Sequence, residues 1–108
     1  MISRDRLEKA LRYIAESDEE FAAAKTEVER ATWLAKHTRA IEYERVDGKN
    51  VEDRKQAVER TAKVAEAEDR RITAIGAYEF LKAKRESEEI IIGVWRSMEA
   101  SRRKETIT

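Results

Sequence analysis

The stretch VDGKN, residues 46–50, decides the fold of this chain because it joins two long segments that nothing else interrupts. The 108 residues contain no proline and only three glycines, and Gly48 lies in the middle of this stretch. A glycine after a helical pattern is typical of a left-handed C-terminal cap, and asparagine is a good N-terminal cap. The stretch therefore predicts a turn between two antiparallel helices, with Gly48 left-handed and Asn50 capping the second helix.

The segments on either side of this turn have the pattern of long helices. From Phe21 to Ile41, small and apolar residues recur at steps of three and four, and charged residues fill the other positions. We expect a helix over residues 18–46 and another over residues 50–103, with room for a break between residues 60 and 73. The predicted fold class is all-α, with a long antiparallel helical hairpin.

A short amphipathic helix precedes the hairpin, over residues 3–16. Ser3 can cap its first turn, and apolar residues recur on one of its faces. Ser17, followed by three acidic residues, has the composition of a capping box and predicts that a new helix begins at residue 18. The whole chain, residues 1–108, is expected to form one elongated helical domain.

The C-terminal part of the last helix carries the most hydrophobic run in the chain, Ile90 to Trp95. An exposed apolar stripe on a long helix is readily covered by a second copy, so we expect a homo-oligomer, a dimer or higher, that completes a coiled-coil bundle. The first helix is expected to pack on the same region, and Gly76 and Gly93 would allow helices to approach closely. The residues expected to mediate self-association or partner binding are Ile91, Val94, Trp95, Met98, Leu7, Leu11 and Ile14.

Charged residues make up 43% of the chain, but 23 basic residues balance 23 acidic ones. Net charge therefore does not attract nucleic acid, and any such contact needs a local basic patch. Basic residues cluster beside Trp33, around residues 82–85, and near the C-terminal end. Contacts with nucleic acid or an acidic partner are expected at the C-terminal cluster. The three clusters are Lys36, His37 and Arg39; Lys82, Lys84 and Arg85; and Arg96, Arg102, Arg103 and Lys104.

Nothing in the sequence has the spacing of a catalytic or metal site. His37 is the only histidine, and the residues three and four positions away on either side carry no carboxylate. The chain has no cysteine, no glycine-rich phosphate loop, no signal-peptide core in residues 1–15 and no apolar run of ~18 to 20 residues. We expect a non-enzyme with no cofactor, no metal, no small-molecule ligand and no membrane partner.

Two stretches, RLEKALRYIAESDEEFAAAK at residues 6–25 and EEIIIGVWRSMEASRRK at residues 88–104, resemble the ends of small helical proteins of tailed bacteriophages and prophages. The distinctive element is the run from Trp95 to Ser97. The resemblance implies expression in a bacterial host cytoplasm, from a gene lying among early functions such as single-strand annealing or recombination. It assigns no catalytic residue.

Three functions stay open from the sequence. The preferred one is a phage or prophage accessory protein that binds another protein of phage or host DNA metabolism, in recombination or replication. A second is direct binding of single-stranded nucleic acid through the basic C-terminal region, which predicts an affinity that falls steeply with salt. A third is a host-directed inhibitor of a bacterial defence system.

Overall fold

The computed structural model of the chain describes residues 1–107, and only the backbone of residue 107. In this range the chain forms four α-helices and no strand, which confirms the all-α class. Contacts divide the helices between two compact units. The hairpin unit is Ala23–Tyr78, and the terminal unit joins Met1–Ala22 to the chain from Glu79 onward. The helices are α1 Arg4–Glu16, α2 Asp18–Arg45, α3 Val51–Glu59 and α4 Ala62–Ile107.

The predicted N-terminal caps of α1 and α3 are confirmed. The first amides of a helix have no acceptor within the helix, and a short polar side chain in an extended residue can supply one. Ser3 Oγ accepts from the Arg6 amide at 3.1 Å, and Asn50 Oδ1 accepts from the Asp53 amide at 2.9 Å. Both caps fix where a helix begins.

The capping box predicted at Ser17 is wrong. Ser17 has helical backbone angles, its amide donates to the Tyr13 carbonyl, and its own carbonyl accepts from the Phe21 amide. Because this ladder of hydrogen bonds passes through Ser17, no extended cap residue separates α1 from α2. The Ser17 hydroxyl instead donates to the Ile14 carbonyl at 3.4 Å and accepts from the guanidinium of Arg85.

The turn between α2 and α3 lies where the sequence predicts it, but Gly48 is not left-handed. None of residues 1–107 has a positive φ angle. A left-handed cap would satisfy a carbonyl near the end of the helix with a backbone amide. Here Arg54 does this instead, since its Nη2 donates to the Tyr43 carbonyl at 2.8 Å and its guanidinium lies 4.4 Å from the centre of the Tyr43 ring.

Gly48 is required by space. A Cβ atom at this position would lie 2.7 Å from the backbone nitrogen of Arg54 and 2.6 Å from its Cγ. Within the single chain, in contrast, no other helix approaches Gly76 or Gly93 closely, because a Cβ at either one would meet no described atom within 4 Å beyond its own stretch of helix; close approach to a second copy stays a prediction. Both of these glycines are exposed on α4.

Gly48→Ala should therefore destabilise the chain, whereas Gly76→Ala should stabilise it. The added methyl at position 48 must displace the backbone of Arg54, a cost of about 1–3 kcal/mol for overpacking. At position 76 the gain in helix propensity is about 1 kcal/mol. Urea unfolding followed by circular dichroism measures both changes, and equal effects of the two substitutions would contradict the close approach at Gly48.

The sequence allows a break in the last predicted helix, and the structure has one at Arg60 and Thr61. The amides of both residues donate three positions back, to Ala57 and Val58, so α3 ends in a tight turn. The Thr61 hydroxyl donates to the Val58 carbonyl at 2.8 Å and accepts from the Val64 amide at 3.4 Å. One threonine thus contributes to the end of α3 and to the start of α4.

The hairpin unit is a thin antiparallel pairing of α2 with α3 and the start of α4. Arg39 pairs with Glu59 and Arg70 pairs with Glu27, so residue numbers on the two sides run in opposite directions. The antiparallel hairpin is thereby confirmed. The core of this unit consists of small side chains, which allow the helices to lie close together: Ala31, Ala35, Val58, Val64, Ala67 and Ala74.

The terminal unit packs α1 against α4, as the sequence predicts for the first helix. Leu7 and Ala10 are buried. Arg6 and Glu88 form an ion pair with Nη1 to Oε2 at 2.7 Å and a hydrogen bond from Nη2 to Oε1 at 2.8 Å. These contacts turn one side of α4 toward α1 and leave its other side open. Completion of a bundle by a second copy stays a prediction.

Candidate protein-binding surface

One side of α4 in the terminal unit carries no charge, although nearly half of the chain is charged. Seven exposed residues recur there at steps of three and four, the spacing of positions a and d in a coiled-coil heptad. Half-buried residues, among them Leu81, Arg85 and Glu88, lie on the opposite side of the helix. We call the uncharged side the α4 outer face: Phe80, Ala83, Ser87, Ile90, Val94, Ser97 and Ser101.

Three large apolar side chains stand on the α4 outer face. The exposed fractions are 69% for Phe80, 64% for Ile90 and 44% for Val94. Single exposed apolar residues are ordinary on protein surfaces, whereas an aligned set marks an interaction site. A separate line of exposed charged residues runs along the same helix at heptad position c, next to the half-buried side rather than beside the outer face, and we call this line the charged border: Lys82, Glu89, Arg96 and Arg103.

Most residues that the sequence predicts for self-association lie at the interior of the terminal unit or at its edge. Leu7 is buried, whereas Leu11 is 47% exposed on α1. Trp95 and Met98 line a cleft of about 490 Å³ together with Met1 and Ile2, and the last two positions of the outer face, Ser97 and Ser101, border the same cleft. Val94 alone of the predicted set belongs to the α4 outer face. The half-buried members are Ile14, Ile91, Trp95 and Met98.

Phe80 and Ile90 are the residues that the sequence-predicted set lacks. The prediction followed apolar residues, and those run along the inward side of α4 and its margin. The signal for the outer face is the absence of charge at seven successive a and d positions, where alanine and serine occupy the places that Phe80, Ile90 and Val94 do not.

Arg85 holds the joint between α1 and α2 against α4. Its Nη1 donates to the Ile14 carbonyl at 3.1 Å and to Ser17 Oγ at 2.6 Å, and its Nη2 donates to Asp18 Oδ1 at 2.8 Å. The guanidinium also lies 4.9 Å from the centre of the Phe21 ring. Arg85 is a structural residue, because its guanidinium bonds to acceptors of the same chain, and it is not a free member of the basic cluster that its sequence neighbours Lys82 and Lys84 suggest.

Arg39 likewise does not belong to a free basic patch beside Trp33. Its Nε donates to Glu59 at 2.6 Å and its Nη1 to Glu68 at 2.8 Å. Trp33 and His37 do lie together on exposed α2, with their rings stacked and 4.7 Å apart. Because Arg39 is bound to Glu59 and Glu68, the basic residues that remain beside Trp33 are Lys36 and His37.

The C-terminal basic cluster is partly paired. Arg102 donates to both oxygens of Glu99, at 2.6 and 2.8 Å, and Lys104 also has a partner. Arg96 and Arg103 are exposed and make no hydrogen bond or ion pair with the other described residues. These two side chains are therefore the members of the cluster that are available to a ligand.

The ion pairs that join the helices lower the pKa of several carboxyl groups. Hydrogen bonds from Arg39 lower the pKa of Glu59, those from Arg71 and then Arg39 lower the pKa of Glu68, and the bond from Arg6 lowers the pKa of Glu88. In each case the folded chain favours the ionised form. These pairs therefore stabilise the fold above the ordinary glutamate pKa of 4.5, and the contribution is lost as pH falls through the lowered values.

We expect Arg39→Gln to flatten this acid dependence. Without its guanidinium, Glu59 and Glu68 return toward their ordinary pKa, so less stability remains to be lost on acidification. Urea unfolding at pH 7 and pH 3 measures the difference, with Arg103→Gln as a control that removes the same charge from an unpaired site. Identical pH slopes for Arg39→Gln and the unsubstituted chain would show that the Arg39 pairs are not formed in solution.

Comparison with known proteins found no matching family model, no matching curated protein and no matching solved structure. Within residues 1–107, no helix combines the length and the apolar character that a bilayer crossing requires. In the same residues, no three histidine, aspartate or glutamate side chains lie together as ligands for a metal ion. The α4 outer face is thus the feature from which a function can be argued.

Proposed function

We propose that the chain is a non-enzymatic phage or prophage accessory protein that acts as a protein-binding helical module in DNA recombination or replication. The observation that supports protein binding is the α4 outer face, where Phe80, Ile90 and Val94 project from one uncharged side of a long helix. The resemblance of the chain's two ends to phage proteins supports the biological setting, in the cytoplasm of a bacterial host.

The mode of binding depends on the composition of this face. A partner helix can lie along it and cover Phe80, Ile90 and Val94, while Ala83 and the serines let the two backbones come close. The charged residues that flank the face, such as Glu79 and Lys84, would set the partner's orientation through complementary charges. Two sets of contacts fix the inward side of α4: the bonds of Arg85 to the α1–α2 joint and the ion pair of Arg6 with Glu88. Because the inward side is fixed, the outer side stays exposed to a partner.

Photo-cross-linking at Phe80 tests this function. A benzophenone amino acid at position 80 replaces one exposed aromatic side chain with another, and the same group at Lys82 lies on the charged border of the same helix. In bacterial cells that produce the chain, position 80 should form a discrete protein adduct and position 82 should not. Adducts of equal yield at both positions, or none at either, would overturn the assignment of the outer face as a binding surface.

The identity of the adduct separates the biological roles. A phage or host protein of recombination or replication would agree with the preferred function. A bacterial defence nuclease would instead favour the host-directed inhibitor, and an adduct of twice the chain mass would identify a second copy as the partner.

Single-stranded nucleic-acid binding is a second candidate, and the free side chains of Arg96 and Arg103 favour it. Fluorescence anisotropy with a labelled oligonucleotide at two salt concentrations tests it. Binding that weakens steeply with salt, and that Arg96→Gln and Arg103→Gln each reduce, would support this candidate. Absence of binding at low salt would exclude it.

A further inference from the structure

We propose that the partner of the α4 outer face is a second copy of this chain, whose α4 lies parallel to the first and in register with it. This inference rests on the proposed function, because it names the occupant of the same face. A face that pairs with itself about a two-fold axis needs no other component. The formal net charge of zero means that two copies do not repel each other at long range.

The order of residues along the face favours the parallel register. In a parallel pair, each a or d residue meets the same residue of the other helix. Phe80 would then pack on Phe80 of the second copy, Ile90 on Ile90 and Val94 on Val94. An antiparallel pairing over the same seven positions would set Phe80 against Ser101. The mismatch in side-chain size would leave a cavity, and the serine hydroxyl would lie against apolar surface without a hydrogen-bond partner.

Charge complementarity at the positions that flank the outer face favours the same arrangement. Glu79 and Lys84 occupy heptad positions g and e, and these positions of two parallel helices lie side by side when they are five residues apart. Glu79 of each copy therefore faces Lys84 of the other, which gives two opposite-charge pairs. In the single chain Lys84 Nζ lies 4.7 Å from the centre of the Tyr13 ring on α1, so pairing with Glu79 of the second copy requires this long side chain to turn toward the outer face.

Disulfide cross-linking tests this arrangement, because the chain has no cysteine of its own. Facing core positions of a parallel pair bring two Cβ atoms within reach of a disulfide. Ser97→Cys lies near one end of the outer face, where only a parallel, in-register pair brings the two copies of position 97 together. Arg96→Cys is the control, since it is the preceding residue and lies on the charged border.

Under mild oxidation, Ser97→Cys should become a covalent dimer while Arg96→Cys stays largely monomeric. The unsubstituted chain should sediment at twice the chain mass. Equal cross-linking of both variants, or a sedimenting dimer that Ser97→Cys does not cross-link, would overturn the parallel register. A monomer that still gives a position-specific adduct at Phe80 with a different protein would overturn the second copy and leave the proposed function standing.

Discussion

Arg85→Ala should lower the free energy of unfolding by about 3 kcal/mol, the largest effect expected for a single polar side chain here. A hydrogen bond from a charged donor contributes about 1.5–3 kcal/mol when its partners are shielded, and the Arg85 side chain is only 14% exposed. The substitution leaves the Ile14 carbonyl and Ser17 Oγ without this donor at a joint where Ser17 is buried. The pair with exposed Asp18 adds little.

Two further variants separate the geometry of Arg85 from its charge. Arg85→Lys keeps the charge but loses the planar fork that reaches three acceptors, so its stability should fall between those of the alanine variant and the unsubstituted chain. Lys82→Ala removes an exposed cation one turn away and should change the stability by less than about 0.5 kcal/mol. Urea unfolding measures all three. Similar losses for Arg85→Ala and Lys82→Ala would mean that Arg85 does not hold the joint.

Ile90→Glu should abolish association through the α4 outer face without unfolding the chain. Ile90 is 64% exposed in the single chain, so the substitution changes few of its internal contacts. In a pair of copies it would bury two carboxylates of like charge against each other. Such a burial costs several kcal/mol, and each 1.4 kcal/mol is tenfold in affinity, so association should weaken more than about 100-fold.

Arg96→Glu is the matched control for Ile90→Glu. It introduces the same carboxylate six residues further along α4, on the charged border rather than on the outer face. Sedimentation over a dilution series should show a monomer for Ile90→Glu and an unchanged assembly for Arg96→Glu, with equal helix content by circular dichroism. Retained assembly of Ile90→Glu would move the contact to another surface.

The elements that local sequence determines could be predicted. Ser3 and Asn50 cap helices through atoms three residues away, and the turn at residues 46–50 stands out because no similar cluster occurs elsewhere. The conformation of Gly48 could not be predicted, because the approach of Arg54 and the bond from Arg54 to Tyr43 decide it. A glycine after a helical segment predicts a turn, but the sequence does not show whether the glycine is there because a side chain would not fit or because the backbone has a positive φ angle.

The roles of the arginines depended on partners distant in sequence. Arg85 bonds to Ser17, 68 positions away, and Arg39 bonds to Glu59 and Glu68 across the hairpin. In the sequence, each of these arginines lies beside other basic residues and suggests a basic patch. In the folded chain, each donates its hydrogen bonds to carboxylate, carbonyl or hydroxyl oxygens of the same chain.

Phe80 was missed for a related reason. It lies off the apolar pattern of the inward side, and the small residues that extend its line, such as Ala83 and Ser87, add little hydrophobicity. Only the burial of the opposite side of α4 shows that this line faces solvent.

The most direct test of the central claim is the solution mass of the unsubstituted chain by light scattering. The measurement is made at low and high salt, with and without a single-stranded oligonucleotide. We expect twice the chain mass at both salt concentrations and no change on adding the oligonucleotide, because an apolar seam is insensitive to screening. A mass of one chain, or a larger species that forms only with the oligonucleotide at low salt, would contradict self-association through the α4 outer face.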